Sequence, residues 1–147
     1  MQKLIKLSGV LILAVAVIGI ITGCTNINSK NESVAAAYFH KGVYETNFPD
    51  KNSSYKDFYI FYDENSGYTE DSKMGIGLPF SCVQEDGYVK FKFGGSEEPD
   101  DVFKIKSVEN GNITGSFEDG SLLIFTPAPN ANPDNFDAVE YVKKYSN

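Results

Sequence analysis

Polar and apolar residues alternate in short runs over much of this chain, which is the pattern of β-strands with one buried face. Residues 88–93 show the alternation most clearly, because Val89, Phe91 and Phe93 are interleaved with lysines. Asp-Gly and Asn-Gly pairs separate several of these runs, and they supply the positive φ angles of tight hairpin turns. The pattern predicts strands at roughly 42–46, 56–62, 67–71, 78–84, 88–93, 101–108, 112–118 and 121–126.

Successive hairpins with no long helix between them predict a mainly β fold. We expect an antiparallel up-and-down meander of about eight strands that forms a small barrel or sandwich. The end of the chain differs, because prolines at 127, 129 and 133 prevent further strand pairing. An apolar stripe after Asp134, the expected N-cap, predicts a C-terminal helix over residues 135–145 that packs on the sheet or closes one barrel end.

The strand predicted at residues 56–62 is apolar on both faces, since Phe58, Ile60 and Tyr62 alternate with Tyr59 and Phe61. A single core needs only one of these faces. The other face must be covered by the C-terminal helix, which we expect, or by a bound ligand. The candidate ligand-binding residues are the aromatic residues on or beside this strand: Tyr44, Tyr59, Phe61 and Tyr68.

The N-terminus has the pattern of a secretory signal peptide. Lys3 and Lys6 precede a charge-free, mostly apolar stretch from Leu7 to Ile21, and small residues follow it. This stretch of about 15 residues is shorter than the roughly 20 that a membrane-spanning helix needs. An uncleaved membrane anchor is the alternative interpretation, and it too would place the domain outside the cytoplasm.

The sequence Ile21-Thr22-Gly23-Cys24 resembles the lipobox of bacterial lipoproteins, which are cleaved before a cysteine that carries lipid. The resemblance implies lipidation of Cys24 and a location at the extracytoplasmic face of the cell membrane, held by the lipid. The chain then divides into a signal peptide at 1–23, the lipidated cysteine with a disordered tether at 24–33, and a single domain at 34–147.

A polar tether, a β meander and a C-terminal helix together resemble small lipocalin-like (calycin-like) bacterial lipoproteins over about residues 38–147. The stretches 62–71 and 75–80 also resemble uncharacterised lipoproteins of gut-type bacteria. The resemblance implies a β-barrel that is tethered to a membrane. It implies no particular activity.

Composition and charge exclude several classes of protein. The 20 acidic residues outnumber 13 basic ones, all lysine, which excludes a general nucleic-acid binder. Only two cysteines are present, too few for a disulfide scaffold. We expect Cys82 to be a buried, inert thiol and His40 an exposed loop residue. The acidic stretch at 63–71 departs from calcium-loop spacing and is interpreted as a hairpin tip, so no metal or cofactor is expected.

These features favour a non-catalytic protein that binds a small ligand or a protein partner. One alternative is an envelope accessory or inhibitor protein that uses acidic loops such as residues 97–101. Another alternative is a hydrolase with a pair of carboxylates, although the spacing of the acidic residues singles out no pair.

Overall fold

The computed structural model describes residues 37–48, 53–95, 97 and 100–145. The predicted signal peptide, the lipidation site at Cys24 and the tether lie outside these described residues.

Eight antiparallel strands form a closed barrel in which each strand pairs with the next and the last pairs with the first. The confirmed fold is therefore the predicted meander, in its barrel form. Tight turns fix the order: Gly87 and Gly111 have φ angles of 81° and 82°, as their Asp-Gly and Asn-Gly pairs require. The strands are β1 (Gly42–Thr46), β2 (Asp57–Phe61), β3 (Ser66–Asp71), β4 (Pro79–Glu85), β5 (Tyr88–Phe93), β6 (Asp101–Glu109), β7 (Asn112–Ser116) and β8 (Leu122–Pro127).

Aromatic side chains fill the interior of the barrel. An eight-stranded barrel is just wide enough for its own side chains to fill it. The inward prediction for β5 is confirmed, since Val89 and Phe91 are fully buried and Phe93 packs against the same cluster. The buried interior also contains Phe39, Tyr44, Phe61, Phe80, Cys82, Phe103, Ile113 and Phe125.

The other face of β2 lies outside the barrel, beneath helix α1 (Ala138–Tyr145). Phe58 and Ile60 are buried there, and the ring centroids of Phe58 and Tyr141 are 5.6 Å apart. The helix therefore covers the outer face of this strand, as we expected. Tyr145 at the end of the helix stays 42% exposed, so the last turn of α1 does not contribute to covering the outer face of β2.

Helix α1 is shorter than the predicted helix at 135–145. The backbone nitrogen of Glu140 donates to Oδ1 of Asp137 at 2.9 Å, so Asp137 caps the helix in place of Asp134. The preceding residues Pro133–Asn135 form a separate turn of 3₁₀ helix. Asn132 caps this turn, since its Oδ1 accepts from the Asp134 nitrogen at 3.2 Å, and Asp137 caps α1, so one predicted helix is divided into two.

The segment before β1 closes one end of the barrel. Phe39 is fully buried, and its ring stacks on Phe61 with the centroids 4.7 Å apart. The Gln84 side chain holds this segment: Oε1 accepts from the backbone nitrogens of Tyr38 and Phe39 at 2.8 Å, and Nε2 donates to the Phe39 carbonyl oxygen at 2.8 Å. We call this the closed end. The described chain enters the barrel here.

Candidate functional site

The opposite end of the barrel has no such plug among the described residues, and two recesses open into it. We call this end the mouth. The loops β3–β4 and β7–β8 lie at this end, and both recesses are lined by Tyr59 and Phe93. The ring centroids of Tyr59 and Phe93 are 6.2 Å apart at an interplanar angle of 77°. These two rings therefore form the shared inner wall of both recesses.

The first of these, the main recess, lies between β2, β5, the start of β6 and the β7–β8 loop. Its volume is about 360 Å³, within the range of small-molecule sites. Three aromatic rings and three carboxylates dominate the lining. The lining residues are Tyr59, Phe93, Asp101, Val102, Phe117, Glu118 and Asp119.

The second recess, of about 310 Å³, lies on the other side of the same two rings, against the β3–β4 loop. It carries more aliphatic and exposed lining: Phe48, Ile76 and Leu78 are each more than half exposed at its rim. The mouth therefore combines partly buried aromatic rings with an exposed apolar rim.

Tyr59 differs from Tyr44 and Tyr68 because its hydroxyl has no hydrogen-bond partner among the described residues, although the side chain is mostly buried. The Tyr44 hydroxyl donates to the His40 carbonyl oxygen at 3.3 Å, and the Tyr68 hydroxyl donates to the Gly77 carbonyl oxygen at 3.0 Å. No described side-chain oxygen is both fully enclosed and unpartnered. The Tyr59 hydroxyl is therefore reachable from the mouth.

The electrostatic surroundings keep this hydroxyl protonated. Burial raises the pKa of Tyr59, and the negative charges of Asp57 and Asp101 raise it further. The pKa of Asp57 is itself raised, first by burial and then by the charge of Asp71. A protonated phenol in an acidic, partly desolvated recess can donate a hydrogen bond to an incoming group.

Alternation along the strands explains why acidic groups reach the mouth. In β2, Asp57 precedes Tyr59 on the inward face, and in β6, Asp101 precedes the buried Phe103 by two residues. The first residue of β2 and the first residue of β6 thus each place a carboxylate at the mouth, where the barrel interior meets water. No lysine lines the main recess within the part of the chain that the structure describes.

The carboxylates of the two recesses differ in what they already bind. In the second recess, Glu70 Oε1 accepts from the Ala138 nitrogen at 2.9 Å, and Asp71 Oδ1 accepts from the Lys73 nitrogen at 2.8 Å. These groups hold α1 and a turn in place. In the main recess, the carboxylates of Asp101 and Glu118 have no hydrogen bond or ion pair with any described residue. They are therefore available to a ligand.

The four predicted ligand-binding residues do not form one site in the structure. Tyr44 and Phe61 belong to the buried interior, and Tyr59 lines the mouth. Tyr68 lies on the outer side, with the cluster beneath α1. Ligand binding by any of the four remains a prediction, and Cys24, the predicted lipidation site, lies outside the described residues.

Cys82 and His40 have the surroundings that the sequence suggested. Cys82 is buried, and burial raises the pKa of its thiol to about 11, so it stays a neutral thiol. His40 is exposed, with Nδ1 3.0 Å from Oε1 of Glu64. Within the described ranges, no group of three or more histidine, cysteine or acidic side chains is placed to hold a metal ion.

The sequence-based selection of aromatic residues missed Phe93, Phe117 and Asp101. Phe93 is predicted as a core residue, and Asp101 is predicted both in the acidic loop 97–101 and at the start of the strand 101–108, where the structure places it as the first residue of β6. The available signal was the alternation itself: extending the inward positions Phe103 and Ile105 back by two residues places Asp101 on the inward face.

Comparisons with known proteins add no relative, since no family model, curated protein or solved structure matches this chain. Among the described residues, no helix has the length and apolar character needed to cross a membrane. Function is therefore inferred from the mouth and from the N-terminal sequence.

Proposed function

We propose that this protein is a membrane-tethered, extracytoplasmic lipoprotein that binds a small ligand in the mouth of its barrel and performs no catalysis. The observation that carries the ligand-binding part is the Tyr59 hydroxyl, which is reachable from the mouth and has no hydrogen-bond partner among the described residues, beside an aromatic recess of about 360 Å³. A polar group of this kind in a mainly aromatic recess can pair with a small ligand and fix its orientation.

The position of the chain entry supports the tethered part of the proposal. Tyr38 and Phe39 are held at the closed end, away from the mouth. The tether that the sequence predicts would join the domain at this end of the barrel. Net charge −7, which becomes more negative when Lys3 and Lys6 are removed with a signal peptide, gives little attraction to anionic lipid. Lipid on Cys24 would therefore supply the membrane attachment.

We expect Tyr59→Phe to reduce ligand occupancy while leaving the stability of the domain nearly unchanged. The substitution removes only a hydroxyl that has no partner in the described structure. The measurement is native mass spectrometry of the full chain purified from its own host, with thermal unfolding of the same sample. A ligand appears as a reproducible mass addition that is smaller or absent in the variant.

The matched control is Tyr38→Phe, which removes a hydroxyl at the closed end that accepts from the Gly87 nitrogen at 2.8 Å. We expect it to cost about 1 kcal/mol of stability for one lost hydrogen bond and to leave ligand occupancy unchanged. Equal occupancy in the wild type and Tyr59→Phe would contradict binding through this hydroxyl. Absence of any small-molecule addition in the wild type would count against the proposed function.

We expect Cys24→Ala to abolish incorporation of an alkyne-tagged fatty acid into this protein. The sulfur of Cys24 is the only atom that the lipobox interpretation modifies with a diacyl group, and Cys82, the other cysteine of the chain, is buried. Cys82→Ala is the control and should keep its label. Label that persists in Cys24→Ala would show that the lipobox interpretation is wrong.

Binding of a protein partner is a second candidate function, favoured by the exposed apolar rim of the mouth. Phe48, Ile76 and Leu78 are 61%, 55% and 54% exposed and line the same recess. Exposed apolar groups that are clustered mark interaction sites more often than isolated ones do. The same native mass spectra separate the two functions, because a protein partner adds a much larger mass than a small ligand.

A further inference from the structure

The main recess differs from the rest of the barrel interior in carrying charge of one sign together with aromatic faces. Tyr59, Phe93 and Phe117 supply the rings, and Asp101 and Glu118 supply carboxylates without partners among the described residues. Aromatic faces carry negative electrostatic potential and attract cations, and more strongly when water is excluded. Carboxylates at the rim of a low-dielectric recess act in the same direction.

We propose that the main recess binds an organic cation, an ammonium group with apolar substituents, and this inference rests on the proposed function. The apolar substituents would contact Val102 and the rings, and the ammonium group would lie toward the carboxylates. An aromatic box of this kind suits substituted ammonium groups, because their charge is spread over carbon atoms that are weakly hydrated.

The Tyr59 hydroxyl distinguishes the main recess from an ordinary acidic patch on the surface. Tyr59 is mostly buried and lines the recess, and its hydroxyl, which Asp101 influences electrostatically, has no hydrogen-bond partner among the described residues. Because the phenol stays protonated, it can donate to a hydroxyl, ether or carbonyl oxygen on the same ligand. The recess therefore fits a cation that also carries an oxygen atom a few bonds from its charge.

The other acidic positions of the mouth fit this role less well. Asp119 accepts from the Ser121 nitrogen at 2.9 Å and holds the β7–β8 turn. Glu70 and Asp71 bind backbone nitrogens, as described above. Asp101 and Glu118 are thus the two carboxylates of the main recess that can face a ligand without giving up an existing contact among the described residues.

The test uses the full chain in a neutral maltoside detergent and two probes of equal shape. Choline carries the quaternary ammonium group and a hydroxyl. Its neutral isostere, in which carbon replaces the nitrogen, is 3,3-dimethylbutan-1-ol, called dimethylbutanol below. Dissociation constants are measured by calorimetry and by saturation-transfer NMR. We expect choline to bind about tenfold more tightly than dimethylbutanol. We also expect choline binding, but not dimethylbutanol binding, to weaken as salt is added.

Variants that remove negative charges test whether Asp101 and Glu118 are the groups that bind choline. The double variant Asp101→Asn with Glu118→Gln should weaken choline binding by about tenfold and leave dimethylbutanol binding unchanged. Glu109→Gln is the matched control, because it removes the same charge from an exposed position at the opposite end of β6 and should change neither constant.

Three outcomes would overturn the inference. Equal affinity for both probes would remove the preference for a cation while leaving a binding mouth in place. Choline binding that survives the double variant would place any cation elsewhere. Failure of choline to bind even at millimolar concentration would exclude this ligand class, whereas the proposed function is decided separately by the mass addition that co-purifies with the chain.

Discussion

Replacement of Phe91 by alanine is expected to lower the free energy of unfolding by about 3–5 kcal/mol. Phe91 is fully buried at the middle of the barrel interior, and its ring centroid lies 5.4 Å from that of Phe80 and 5.8 Å from that of Tyr59. The surrounding rings belong to different strands of a closed barrel. They cannot collapse into the vacated volume without breaking strand pairing, so most of the cavity would remain.

The measurement is urea unfolding of residues 25–147, followed by far-ultraviolet circular dichroism because the chain has no tryptophan. Tyr62→Ala is the control: it removes an aromatic side chain that is 47% exposed, and we expect a change below about 0.5 kcal/mol. A loss below about 1 kcal/mol in Phe91→Ala would mean that the barrel interior is not packed around this ring.

The strands were predictable because local pattern and turn chemistry agree. Val89 and Phe91 alternate with lysines, and Gly87 supplies the positive φ angle that the preceding turn requires. Barrel closure was not predictable in the same way. It depends on pairing between β1 and β8, which are far apart in the sequence, and no local signal distinguishes that pairing from the open edges of a sandwich.

The start of α1 and the closed end of the barrel are two further features that the sequence pattern does not predict. Asp134 and Asp137 are both suitable N-caps, and only the packing of Ala138, the first residue of α1, against the cluster of Phe58 and Ile60 decides between them. The closed end depends on Gln84, whose side-chain amide forms hydrogen bonds with the backbone of Phe39, 45 residues away in the sequence. A glutamine in a strand carries no sign of such a role, because the role exists only after the barrel forms.

The sequence pattern predicts one of the residues that line the mouth but not the position of the mouth itself. Tyr59 was selected because it lies on an aromatic strand with two apolar faces, and it lines the mouth. Phe61, its neighbour on the same face, lies deeper in the interior and is fully buried. Alternation assigns both residues to one face but does not say which end of the barrel is closed. Among the described residues, Phe39 closes the end near Phe61, and it comes from a segment with no strand pattern.

A large effect of adding a single methyl group is expected at Gly115 in β7. An ideal Cβ at this position would lie 2.3 Å from the backbone oxygen of Lys104 and 2.5 Å from Cζ of Phe103. The ring of Phe103 occupies the space that a side chain would need, so the glycine makes room for a large residue of the neighbouring strand. The backbone oxygen cannot move away without disturbing the β6–β7 pairing.

We therefore expect Gly115→Ala to destabilise the domain by about 3 kcal/mol or more, at or above the usual upper limit for overpacked cores. Gly42→Ala in β1 is the matched control. There the nearest atoms to an added Cβ are 3.8 Å away, which is ordinary van der Waals contact, and the change should stay within about 0.5 kcal/mol. Urea unfolding of both variants decides the point: equal stability would mean that the ring of Phe103 does not pack over β7. The double variant Gly115→Ala with Phe103→Leu should recover only part of the loss, because the clash with the Lys104 oxygen remains when the ring is gone.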